Sequence, residues 1–220
     1  MREIDDVLRQ RGFSRDKAGS WRRQREGRFL EVLSLEVDDH RAWYEAIVAV
    51  PVPEWDTSSV ALADVQPESM PALERWVCKD GVVPKTWVDM SAWELPHEAR
   101  DLQSRGLEHA ISWLEDQSHP SRLVDTLKDE VEHGVQGRKA ASQGFLGRLL
   151  GRSSYEGERE YPVLHRKILA AALFSMRLYK ESGQWLRSWA ATMDGWKHQP
   201  YYVGIAQQLS AGQSPTSRND

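Results

Sequence analysis

The sequence predicts an α+β protein: an antiparallel, mostly meandering sheet with an N-terminal helix and further helices packed on it, plus a C-terminal all-helical segment. Three observations carry this. Leu33, Leu35 and Val37 alternate with Ser34 and Glu36, the period of a half-buried strand. Asp80-Gly81 separates two apolar runs, a hairpin signal. From His97 onward the apolar period lengthens to that of a helix.

Taken in order, Ile4, Val7 and Leu8 fall at helical spacing, so Arg2–Arg11 reads as a short amphipathic helix. Gly12 is placed to close it in the left-handed region, after which Phe13 folds back on the helix. Two strands follow, starting at Trp21 and running through Val37, with Glu26-Gly27 as their turn. A third covers Trp43–Val50 and stops at Pro51 and Pro53, which cannot donate to a ladder. Residues 54–73 read as a connection with one short apolar segment at Val60–Val65. Arg75–Lys79 and Val82–Met90 then form the Asp-Gly hairpin, with Pro84 implying that its second strand is an edge or starts after the proline.

A helix over Ala99–Leu114 is broken at His119-Pro120. Ser121 can cap the next, which buries Leu123, Val124, Leu127 and Val131 and closes at Gly134. Tyr161-Pro162 opens a helix reaching about Lys180, with proline in its first turn and Gly183 at its end. Helices over Gln184–Met193 and Tyr201–Leu209 complete the chain. These elements divide it into an α+β domain (1–133), a Gly-rich linker (134–160), a helical extension (161–210) and a disordered tail (211–220). The aliphatic face of Leu164, Ile168, Ala171 and Leu178 must be covered, by the sheet domain or by a second copy in a homodimer through the C-terminal helices.

Hydrophobic residues make up 40% of the 220 and charged residues 28%, enough for a core and a wet surface. The ten tryptophans imply large buried aromatic area or an aromatic contact surface. Cys78, the one cysteine, allows no intramolecular disulfide, and the N-terminal MREIDDVLRQ lacks a secretory apolar region. The expected location is therefore cytoplasmic, with no membrane partner. Residues 1–50 carry net charge 0, residues 51–136 carry −10 and residues 137–220 carry +6, which together give the overall −4. Such segregation is satisfied either by internal pairing or by a partner of opposite charge.

No G-x-S-x-G, Walker A or G-x-G-x-x-G motif occurs, and no cysteine pair could hold zinc. Glu130 and His133 form an isolated E-x-x-H without the second pair and glutamates that a di-iron bundle needs, so no metal or cofactor is expected. Asp38-Asp39-His40 follows a strand and reads as turn chemistry before catalysis. Two charged sets remain. Arg22, Arg23, Arg25 and Arg28, interleaved with Trp21 and Phe29, form an anion-binding candidate suited to a nucleic-acid backbone. Asp125, Asp129 and Glu132 recur at i, i+4, i+7 opposite the apolar face of their helix. Glu115 and Asp116 precede them, and the five form a candidate partner-binding set.

The helix leading to Gly12-Phe13, the aromatic strand start at Trp21, the charged hairpin, Val32-Leu33-Ser34-Leu35, Trp87-Val88 and Gly106–Leu127 together resemble an uncharacterised bacterial domain-of-unknown-function family. The resemblance spans about residues 1–133. Glu36-Val-Asp-Asp39 stands where that family often has a polar Gln-Lys-Ser. The family has no established catalytic residues to carry over. Some relatives resemble immunity proteins of toxin systems, which implies a protein that neutralises a toxin by contact; the acidic set suits a basic toxin domain. Three readings follow. The first is a non-enzymatic immunity or antitoxin-like binding protein. The second is a nucleic-acid-associated protein using the arginine hairpin. The third is an enzyme assembled from dispersed groups such as Asp38, Asp39, His40 and His109.

Overall fold

A computed structural model describes residues 2–16, 19–25, 29–37, 42–56, 69–78, 81–84, 105–142 and 155–215. The chain is α+β and separates into two compact units, one of residues 1–51 and 59–122, the other of residues 52–58 and 123–220.

The first unit begins with α1 (Arg2–Gln10), whose Ile4 and Leu8 are buried. Gly12, at φ +83°, ends it as expected: the Phe13 N–H donates to the Leu8 carbonyl at 2.9 Å and the Gly12 N–H to that of Arg9 at 3.0 Å. Among the described residues, six strands follow in sequential antiparallel order: β1 (Ser14–Arg15), β2 (Trp21–Gln24), β3 (Leu30–Val37), β4 (Ala42–Pro51), β5 (Ser69–Cys78) and β6 (Gly81–Pro84). The two-residue β1 was not legible, being too short to show a period. β5 starts at Ser69, earlier than the prolines suggested. Its register against β4 shifts between Val48 and Ala49, so that Leu73 pairs with Val48 and Pro71 with Ala49. That irregularity lets a residue with no N–H sit inside a strand. Cys78 pairs with Gly81, so Gly81 belongs to β6 and not to the turn expected at Asp80-Gly81.

β3 departs from a half-buried strand. Leu30 and Val32 meet Ala49 and Ile47 in one cluster on one face, while Glu31 and Leu33, on the other, are equally buried. Glu31 has the parity of the apolar Leu33, Leu35 and Val37, so this carboxylate lies on the face that the alternation assigns to the core. Helix α2 (Leu107–Gln117) packs on β4, β5 and β6 and buries Leu107, Ala110, Ile111 and Leu114.

Among the described residues, the second unit holds four helices: α3 (Pro120–Ser142, counted here from Leu123), α4 (Tyr155–Ser175), α5 (Tyr179–Ala190) and α6 (Gln199–Ser210). Leu123, Val124, Leu127 and Val131 are buried as expected. Several helix limits differ from the sequence reading. α3 runs past Gly134, since a glycine costs a helix interior only about 1 kcal/mol and does not force an end. α4 begins at Tyr155, placing Pro162 beyond the first turn. It stops at Ser175, not near Lys180, through Arg177 in the left-handed region at φ +63°. The Leu178 N–H donates to the Leu173 carbonyl and the Arg177 N–H to that of Phe174, both at 2.9 Å.

Gly183 is consequently no terminator but an interior residue of α5. A Cβ on it would lie 2.6 Å from the backbone nitrogen and Oγ of Ser210 and 2.7 Å from the Ala206 carbonyl oxygen. Only glycine permits that approach of α5 to α6. The run Ile168–Leu173 is buried throughout, whereas Leu164 and Leu178, expected on the covered face, are exposed. Among the described residues, no helix is long and apolar enough to cross a membrane.

Candidate functional site

The arginines of the N-terminal hairpin are engaged within their own unit. Arg22 donates through Nε to Asp16 Oδ2 at 2.8 Å, and its Nη2 meets the same oxygen. Arg23 Nε donates to Glu31 Oε2 at 2.5 Å and Arg25 Nε to Glu31 Oε1 at 3.0 Å. Glu115 on α2 joins them, 3.3 Å from Arg23 Nη1 and 3.1 Å from Arg25 Nη2. Ser118, at the end of α2, donates its hydroxyl to Glu31 Oε1 at 2.5 Å. Arg23 also lies over the Phe13 ring, 4.2 Å from its centroid, and donates to the Arg11 carbonyl at 2.7 Å. Two glutamates and two arginines thus form one knot, buried at Glu31 and Arg23 and open to solvent at Arg25 and Glu115, that ties β2 and β3 to α2. Arg28 lies outside the described residues.

Of the acidic set, Glu115 belongs to this knot, and Asp116 is exposed with Arg122 Nε 3.4 Å away. Asp125, Asp129 and Glu132 are all exposed on α3, and Leu123, Leu127 and Val131 are buried beneath them. The two groups fall in different compact units. His109 is exposed on α2, and Asp38, Asp39 and His40 lie outside the described residues. Glu130 faces His165 of α4, with Oε2 3.3 Å from Nε2; the His133 side chain lies outside the described residues. No group of three or more side chains that could hold a metal ion occurs among the described residues.

A second charged centre, in the helical unit, was not anticipated. Lys167 of α4 places Nζ 2.7 Å from Asp56 Oδ2, with side-chain exposures of 5% and 0%. Tyr202 of α6 donates its hydroxyl to the other carboxylate oxygen at 3.1 Å. The neighbouring Tyr201 hydroxyl donates to the Trp55 carbonyl at 3.0 Å. Aromatic rings surround the pair. Trp55 meets Phe174 and Tyr202 edge-on at 6.1 and 6.4 Å, Trp189 meets Tyr202 at 4.9 Å, and Trp196 stacks on Tyr202 at 5.7 Å. Lys167 Nζ is 5.2 Å from the Trp189 centroid and 5.8 Å from that of Tyr202. Trp55 Nε1 is buried with no hydrogen-bond partner among the described residues, which costs about 1–3 kcal/mol.

The signals for this centre were present but separate: a lysine against the apolar run Ile168–Phe174, and a Trp-Asp pair just past a strand. Nothing local joins them. Comparison with protein-family models, with curated proteins and with solved structures found no match.

Proposed function

We propose that this protein acts by binding another protein through the acidic face of α3, with Asp125, Asp129 and Glu132 as the contact. The observation that carries the reading is the exposure of all three carboxylates over a buried apolar seam. The helix is anchored from below and can present charge without rearranging. An array of like charges on a rigid helix steers and captures a basic surface. We infer a basic toxin domain as the partner and an immunity or antitoxin-like role in the bacterial cytoplasm; the resemblance of residues 1–133 supports this. The nucleic-acid reading loses ground, because Arg22, Arg23 and Arg25 already hold carboxylates of their own chain.

The test is affinity capture from the native host with two baits, the wild-type chain and D125K/D129K/E132K. The wild type is expected to retain a basic protein that high salt releases and the reversed bait does not hold. Recovery of the same proteins by both baits would show that this face is not the contact.

A further inference from the structure

We propose that Lys167, Tyr202 and Trp189 form a receptor for a tryptophan–aspartate segment, filled in cis by Trp55-Asp56, and that a second segment of the same chemistry can take that place. The inference makes no use of the acidic face of α3 and stands or falls separately.

Five observations on the helical unit carry it. Each oxygen of the Asp56 carboxylate has its own donor, Lys167 on α4 for one and Tyr202 on α6 for the other. The seat therefore reads a carboxylate by both oxygens. It also reads the preceding residue, since Tyr201 binds the Trp55 carbonyl while Phe174 and Tyr202 flank the indole. Lys167 is buried against the faces of Trp189 and Tyr202, so its ammonium needs an anion at this point.

The segment that supplies the anion is short and self-contained. It follows the end of β4 at Pro51, belongs to no helix or strand, and is closed by an Asp56 N–H to Pro53 carbonyl bond of 2.8 Å. Its release would break no ladder. Finally, the fit of the cis segment is incomplete, because Trp55 Nε1 is buried without a partner among the described residues. A competing segment that offers an acceptor there would gain a bond that no described residue supplies.

Tethering gives the cis segment an effective concentration of about millimolar, so a free peptide competes poorly until the cis carboxylate is removed. The experiment uses the full chain carrying D56A, titrated with a fluorescently labelled, capped peptide spanning Val52–Asp56 and followed by anisotropy. Saturable binding is expected, at least tenfold weaker for the peptide carrying the Asp56→Asn change, and that preference should vanish in D56A/K167M. Absence of saturable binding by a folded D56A chain, or equal binding of the two peptides, would overturn the proposal. If D56A does not fold, the isosteric D56N chain is titrated instead. Hydrogen exchange on the wild type is an independent condition. The Asp56 amide is expected to exchange through local opening at least a hundredfold faster than the amides of Ala170–Leu173. Equal rates would show that the segment leaves only when the whole unit unfolds, and the receptor reading would fail.

Discussion

Glu31→Gln is the sharpest test of the buried knot in the sheet unit. The wild-type carboxylate is fully buried and accepts from Arg23, Arg25 and Ser118. The amide keeps the shape but loses the charge, and its NH2 group faces donors that need an acceptor. Breaking one side of a buried ion pair costs about 3–5 kcal/mol, because the remaining charge is left uncompensated. Glu115 stays 3.3 Å from Arg23 and 3.1 Å from Arg25, so the lower end applies, about 3 kcal/mol. For a chain of this size that lowers the melting temperature by about 6–12 °C. Urea denaturation at neutral pH, followed by far-UV circular dichroism, measures it. Two controls set the scale. E115Q, at a carboxylate that is itself more than a third exposed to solvent, should cost no more than about 1 kcal/mol. S118A should cost about 1.5–3 kcal/mol through one lost bond to a charged acceptor. A loss below about 1 kcal/mol for E31Q, or a larger loss for E115Q, would refute the argument that burial of this carboxylate sets the energy.

Two further outcomes follow from single side chains. Tyr44 is fully buried, and its hydroxyl has no partner among the described residues, so Y44F should stabilise the sheet unit by about 1 kcal/mol in the same assay. Burial pushes the Tyr44 phenol up from its ordinary value. A group whose folded pKa is raised contributes full stability below its unfolded pKa, about 10, and loses it as pH rises above that. Y44F should therefore flatten the alkaline limb of stability against pH, and an unchanged limb would contradict this. G183A should destabilise the helical unit by about 2 kcal/mol, since backbone of α6 blocks the new methyl and the gain in helix propensity offsets only part of the strain. A neutral G183A in thermal melts would mean that α5 and α6 do not approach so closely.

What the sequence determined is what local physics decides. The φ that ends α1 needs a glycine, and Gly12-Phe13 announces that turn without help from the rest of the chain. The strands from Trp21 to Pro51 and the apolar seam of α3 follow from periods of two and 3.6, which record which face each element buries. The exposed acidic residues Asp125, Asp129 and Glu132 were legible for the same reason.

Tertiary structure decided how charges pair and which polar residues go inside. Glu31 shares the face of Leu33, Leu35 and Val37, but nothing in the sequence names partners for a carboxylate there; Arg23, Arg25 and Ser118 are supplied by other parts of the chain. Gly183 looked like a terminator because close approach of α6 is invisible from α5 alone. Asp56 and Tyr202 lie 146 residues apart, and neither has a neighbour in sequence that hints at the other. A hydrophobic pattern reports one face of one element, whereas an ion pair inside a protein depends on which elements meet and how much water their meeting excludes.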